Sequence, residues 1–423
     1  MKPKFYIIFL VLIFLPIHGC KKNDDKIVID FWGMGAEGQA VKLLLPDFER
    51  ENPNIKVNVQ MMPWTAAQEK LISAFASDNL PDACQLGNTW IPQFVSLGAL
   101  ENLDKWTDEN NAISPDKYFD GIWATNIIDT SLYGVPWYLD TRVLYYRPDI
   151  LARVGYNEPP KTWSELYDVS KKIKALYKKN EEKYAIFLPT NEWAHYVILG
   201  LQNNADLLKN NNSYGNFSSP EFKEAFEFIT RFLREGLAPI GISQVTNVYQ
   251  AMASGYFAMY ISGPWHLTEF KKWMTGDLED KWMTAPLPGP DTYPGSSLAG
   301  GSSLVMFKHS EHKEGVWKFL EYLSRKEIQL KFYKLVNNLP AAKAVWDDPV
   351  FKNDKYMQAF FRQFFYVTPT PKIAEWEQIV FSKLQQYAEY AARGVMTVDE
   401  ALRNMDQDVN LILEKRRWIL AQD

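Results

Sequence analysis

Between Lys26 and Met61 the apolar period changes twice, and that succession constrains the fold more than any other stretch. "KIVIDFWG" (Lys26–Gly33) is a continuous apolar run stopped by glycine, the pattern of a strand covered on both faces. Glu37 to Phe48 then reads as a helix, with a bend expected at Pro46. "ENPN" turns the chain, and "IKVNVQM" alternates, placing Ile55, Val57, Val59 and Met61 on one side. Strand, helix, strand opens an α/β sheet.

Later segments carry their own punctuation. In "TWSE", Thr162 takes the N-cap position with Glu165 three residues on, which predicts a capping box. "SPEFKEAFEFITRFLREG" begins with Ser219 as cap and Pro220 at the first helical position, and it ends at Gly236. Phe222, Ala225, Phe226, Ile229 and Leu233 form its apolar stripe. Thr397 and Glu400 predict a second box ahead of Leu402, Met405, Val409 and Ile412. Strands are expected at "YGVPWYL", "VLYYR", "YFAMYI" and "SSLVMF". A chain of 423 residues holds two domains with sizeable cores. With no internal repeat and no long linker, short crossings must join them, which predicts a hinge.

The first residues stand apart. Lys2 and Lys4 precede an apolar run from Phe5 to Ile17, followed by "HGC" and the polar "KKNDDK". This resembles a bacterial lipoprotein signal over 1–19, with Cys20 lipidated and 20–25 as a tether. Ile17 and His18 depart from the usual residues, and an ordinary secretion signal cut elsewhere is the alternative. Cleavage before Cys20 would remove two lysines and no acid, taking the formal charge from −5 to −7. That charge gives no support to a nucleic-acid partner. Cys84 then packs as a small apolar residue, unless it pairs with an unlipidated Cys20.

No G-x-S-x-G, Walker loop or H-E-x-x-H occurs, so no enzyme motif stands out. His309 and His312 lie in "KHSEHKEG", which reads as a solvated loop before a helix rather than a metal site. The unusual feature is aromatic: 15 of the residues are tryptophan. Trp64, Trp90, Trp137, Trp193, Trp265 and Trp376 fall at strand ends and loop starts, where doubly wound sheets bind ligands. Trp106, Trp123, Trp163, Trp317 and Trp418 read as core or helix-surface packing. Indole rings suit the apolar C–H face of a pyranose, while carboxylates and amides suit its hydroxyl rim. A carboxylate pair for glycoside hydrolysis is compatible with the composition, though no local motif points to one.

Fragments in fixed order carry a family resemblance: "IDFWGMGAEG", "FERENPNIKVNVQ", "ASDNLPDA", "LGALENL", "YGVPWYLDTRVLYYRPDILARVG", "PPKTWSEL", "GYFAMYISGPW", "APLPGP", "LAGGSSLVMFKHSEHKEGVWKFLEYL" and "TVDEAL". From about Ile27 to the C-terminus the chain resembles the family 1 extracellular solute-binding proteins of ABC importers, the maltose- and trehalose-binding group. The resemblance implies a periplasmic-binding-protein type II fold: two α/β lobes, a three-crossing hinge and a ligand cleft. The lobes are expected at 26–140 plus 300–343 and at 141–299 plus 344–423. Crossings fall near Leu139–Arg142, Ala299–Ser302 and Ala341–Val345.

It further implies an exported, membrane-anchored monomer that hands a di- or oligosaccharide to permease subunits, with no cofactor, metal or catalysis. A secreted glycoside hydrolase and a receptor for a non-sugar solute are the rivals. Trp265 in "SGPW" matches the family's cleft tryptophan, aimed into the gap by Gly263-Pro264; capping the second lobe's core is its alternative role. Glu37 is a candidate polar contact or a plain helix-N-terminal acid. Asp140 and Trp137 share the loop before a crossing, Asp140 as a hydroxyl acceptor or a hinge anchor. Gly300 and Gly301 would let the backbone approach a sugar. Trp64 and the loosely matching Trp193 and Trp376 are further aromatic candidates. Asn88 and Trp90 depart from the maltose-binding pattern, and Asp82 reads as a loop anchor.

Overall fold

The opening run forms strand β1 (Ile27–Met34), and β2 (Ile55–Met62) pairs with it in parallel, Ile27 opposite Ile55 through Met34 opposite Met62. The crossover helix Gly35–Glu51 continues through Pro46 and buries Ala40, Val41, Leu44 and Phe48. β1 is enclosed on both faces only in its second half: Val28 and Asp30 are exposed, Phe31 to Met34 buried. The computed structural model describes residues 26–107, 113–178, 180–241 and 245–422; the expected signal peptide, Cys20 and the 20–25 tether lie outside them.

Two sheets follow from β3 (Ala83–Gly87), β4 (Val135–Asp140), β5 (Val143–Tyr146), β6 (Tyr184–Phe187), β7 (Phe257–Ser262), β8 (Met283–Ala285), β9 (Gly300–Met306) and β10 (Leu339–Pro340). The first has the order β10-β4-β9-β3-β1-β2, with β9 antiparallel to both neighbours. The second has the order β8-β5-β7-β6, with β7 antiparallel to β5 and parallel to β6. Asp82 is a loop anchor: its Oδ2 accepts from the Asp30 N–H (2.9 Å) and its Oδ1 from the Ser310 hydroxyl (2.5 Å).

The chain leaves the first sheet through Thr141 and Arg142 and returns between Leu298 and Gly300. These two passes are tied together. Thr141 Oγ1 donates to the Leu298 carbonyl (2.7 Å), the Arg142 N–H to Ser297 Oγ (3.1 Å), and Ser297 Oγ to the Arg142 carbonyl (2.9 Å). After β10 the chain departs again through Lys343–Asp347 to helices Pro349–Lys352 and Met357–Gln363. That segment touches both sheets' cores. Phe364 meets Phe119 (5.4 Å) and Trp346 (5.7 Å), while Tyr356 stacks on Trp282 at 3.8 Å. One apolar cluster therefore spans the back of the molecule. The opposite face of the second sheet is covered by helices Trp163–Ala175, Ala194–Gln202, Pro220–Arg234 and Val398–Ile412.

The helix-cap signals translate with one exception. Ser219 caps its helix through the Phe222 N–H, and Thr397 and Glu400 form the full reciprocal box. Thr162 makes only half of one, because Glu165 Oε2 accepts from the Lys161 N–H (2.7 Å) instead of the cap's own amide. Cys84 is a buried free thiol. Trp123, Trp163 and Trp317 are buried, whereas Trp418 is exposed. Among the described residues no helix is long and apolar enough to cross a membrane, and no cluster of side chains could hold a metal ion.

Candidate functional site

Residues at the ends of β3, β4, β6 and β7 converge on one cleft of about 1070 Å³ between the two sheets. This is the strand-end location expected for ligands in α/β folds.

The floor is the paired end of β4 and β9, where Gly300 lies opposite Asp140 and Gly301 opposite Leu139. Gly301 has φ +132°, and a Cβ there would sit 2.2 Å from the Tyr138 carbonyl oxygen, so only glycine serves. The space beside Gly300 is taken by the Asp140 carboxylate, 2.2 Å from where a Cβ would stand.

One wall comes from the first sheet's loops. Trp64 opens the helix Trp64–Ala76, and its ring meets Trp90 edge-on at 5.5 Å. On the same wall Gln68 Nε2 donates to Gln93 Oε1 (2.9 Å). Asn88 is nearly buried, its amide donating to the Ala299 carbonyl (2.9 Å), which ties this wall to a crossing.

The other wall comes from the second sheet. Gly263 leaves no side chain where the Trp265 indole folds back; a Cβ there would come within 2.1 Å of the ring. Tyr145 fixes this turn by donating to the Gly263 carbonyl (2.7 Å). The indole, 48% exposed, lies over the Arg142 guanidinium at 4.6 Å, a cation–π contact. Behind it His266 is held between the hydroxyls of Tyr249 (2.9 Å) and Tyr260 (3.3 Å). Further along, Trp193 meets Phe381 edge-on at 6.2 Å. Phe381 reaches the rim from a π-helical turn over Ile379–Leu384, a local widening common at functional sites.

Arg142 joins the parts. Its Nη1 contacts Asp140 Oδ1 at 3.1 Å and its Nη2 approaches Glu192 Oε1 at 3.6 Å, with the guanidinium side chain 12% exposed. Burial pushes the Asp140 carboxyl above its usual range despite Arg142, and nearby Glu192 adds to the rise. Burial also opposes ionisation of Glu192, but Arg142, His195 and the Ala194 N–H outweigh it and hold that carboxyl low. Burial, reinforced by Arg142, lowers His266 to about 4, so its imidazole is neutral. Glu377 is pushed up by burial, partly offset by a hydrogen bond with Thr89.

Of the residues singled out in the sequence, Trp64, Asn88, Trp90, Asp140, Trp193, Trp265, Gly300 and Gly301 all line the cleft. Three do not. Trp137 is 1% exposed and packs on Phe332 at 4.3 Å, because the pleat of β4 turns Tyr138 and Asp140 to the cleft and Trp137 and Leu139 to the core. Trp376 is also 1% exposed, buried beneath Trp193 at 6.2 Å; its neighbours Glu377 and Gln378 line the cleft instead. Glu37 sits in the first turn of its helix and accepts from the Asn338 amide (2.9 Å), outside the cleft wall. Sequence reasoning missed Arg142, Glu192, Gln68 and Phe381. Arg142 and Glu192 adjoin candidates that were named, so proximity was the only available signal.

Residues 33–330 match the family model described as bacterial extracellular solute-binding protein. The chain is similar in structure to the sugar-binding protein MalE from the phytopathogen Xanthomonas citri, with a TM-score of 0.90 and 44% identity over 94% of this chain and 100% of that one. It is 26% identical over 375 residues to a Brucella abortus binding protein, covering 87% of this chain and 88% of that protein. It is also 27% identical over 282 residues to the diacetylchitobiose binding protein DasA of Streptomyces coelicolor, covering 66% and 64%.

Proposed function

Because the chain belongs to the bacterial extracellular solute-binding proteins, we propose that it is the carbohydrate receptor of an ABC importer. In this reading Cys20 carries the lipid that keeps it at the membrane. The lobes 26–140 plus 300–343 and 141–299 plus 344–423 close on a di- or oligosaccharide, and the closed monomer presents it to permease subunits without chemical change.

The observation that carries this reading is the alternation of rings with hydrogen-bonding groups on both sides of one cleft. Trp64, Trp90, Trp193 and Trp265 provide the rings; Asp140, Glu192, Gln68 and Gln93 provide acceptors and donors. Aromatic contacts give roughly 0.5–1.5 kcal/mol beyond burial, and charge-assisted hydrogen bonds about 1.5–3 kcal/mol. A micromolar complex needs about 8 kcal/mol net, so these contacts must act together with the apolar area that the rings bury against the ligand. Likeness to a sugar-binding protein at 44% identity supports the same class.

The test is a thermal-shift screen of sugars, polyols, phosphate esters and peptides, followed by calorimetry. A saccharide is expected to raise the melting temperature by mass action, and Trp265→Ala to remove most of that shift. A non-sugar solute alone raising it would overturn the reading. So would glycoside turnover abolished by Asp140→Asn or Glu192→Gln.

A further inference from the structure

Among the described residues the cleft is lined by one guanidinium, Arg142, and three carboxylates, those of Asp140, Glu192 and Glu377; the other lining side chains described are uncharged. The single cation is not free. Asp140 and Glu192 engage its two terminal nitrogens, the Trp265 indole covers its face, and its Nε is buried without a hydrogen-bond partner. An incoming anion would have to displace a carboxylate from Arg142 and then lie beside the carboxylate it displaced. Guanidinium recognition of phosphate or carboxylate needs two parallel N–H donors, and here both terminal nitrogens already face internal carboxylates. Like charges placed together in a partly desolvated site repel strongly.

We propose that Asp140 and Glu192 are specificity-determining residues that make the cleft reject anionic saccharides, by consuming its one guanidinium and leaving excess negative charge. A neutral sugar meets no such penalty, since its hydroxyls donate to carboxylate oxygens that Arg142 leaves unused. Arg142 acts here as a positioning residue, orienting both carboxylates and supporting the indole from below. Glu192 stands on the second sheet's side and Asp140 on the first, so rejection is strongest with the lobes together.

This inference rests on the carbohydrate reading. The test uses the full chain, calorimetry at pH 7.5, and a panel of maltose, maltotriose and diacetylchitobiose. Whichever neutral sugar binds best is paired with its derivative oxidised to the carboxylate at C6. The wild type is expected to bind the carboxylate at least tenfold more weakly than the parent. Glu192→Gln should narrow that ratio at least fivefold by freeing part of Arg142, and Asp140→Asn should do so in the same direction. Arg142→Gln should lower affinity for the neutral sugar and quench or shift Trp265 emission, without admitting the carboxylate. Equal affinity for both ligands in the wild type, or an unchanged ratio in both Glu192→Gln and Asp140→Asn, overturns the inference and leaves the carbohydrate reading intact. Binding of no saccharide in any form sinks that reading, and this inference with it.

Discussion

The two walls of the cleft are built from different chemistry. The wall built from the first sheet's loops presents Trp64, Gln68, Trp90 and Gln93, none of them ionisable, and Asp140 belongs to the floor below it. The second-sheet wall presents Trp265, Trp193, Glu192 and Glu377, with Arg142 beneath and the neutral His266 behind. On the first wall the rings brace each other and the amides pair with each other, so its groups are preorganised without charge. On the second, the exposed Trp265 indole rests on a cation that Glu192 holds from the same side and Asp140 from the floor. A ligand gripped by both would draw shape recognition from one side and charge discrimination from the other. The walls should therefore respond differently to mutation and to pH.

The largest effect is expected at the floor the walls share. Gly301→Ala forces an L-residue to φ +132° with its Cβ 2.2 Å from a carbonyl oxygen, at a cost of about 3 kcal/mol or more in stability. Gly98→Ala, also at positive φ (+66°) but with nothing within 4 Å, should cost only about 1 kcal/mol. Equal losses in denaturant unfolding would show that floor crowding adds nothing. Next in size is a direct comparison of the walls. Trp265→Ala should weaken sugar binding by about 2 kcal/mol, roughly thirtyfold. Trp64→Ala should cost about 1 kcal/mol, since its ring already spends an edge on Trp90. The reverse order in calorimetry would place the dominant platform on the first wall.

How much of this was legible beforehand depends on which interaction fixes each residue. The strand–helix–strand opening, the helix caps and the four later strands follow from local period and punctuation, and these became the elements that aim the cleft. Trp265 was legible because Gly263-Pro264 marks a turn just past a buried strand. Trp137 was not, because strand parity allows only one of Trp137 and Asp140 to face the cleft, and sequence alone does not say which face that is. Trp376 failed for a tertiary reason: the segment Trp376–Leu384 lies against Trp193, which covers it. Arg142, placed only at a crossing by the sequence, was not foreseen as a cleft residue because its partners come from β4, the 189–193 loop and the 263–266 turn, a convergence no local pattern encodes.

Acid should expose the second wall's charge network while sparing the first. His266 titrates at about 4 in the native protein against an ordinary 6.5. The unfolded chain therefore takes up a proton before the native one does, and stability falls as pH drops through that window. Linkage puts the loss at about 2 kcal/mol by pH 5. His195, lowered chiefly by burial, acts in the same direction. A melting-temperature series from pH 7.5 to 5 should slope downward in the wild type and more gently in His266→Gln; identical slopes would remove His266 from the explanation.

The smallest effect tests whether the neutral wall is as self-contained as its geometry implies. Gln68→Ala removes the 2.9 Å bond to Gln93, but it leaves no charge stranded, and the Gln93 amide still has water at hand. The loss is then only the net worth of a neutral hydrogen bond, about 0.5–1.5 kcal/mol. It should appear as a few-fold drop in sugar affinity with no change in the preference for neutral over carboxylated ligand. A preference that moved with Gln68 would mean that the uncharged wall also reads charge, and the division of labour between the walls would fail at its plainest point.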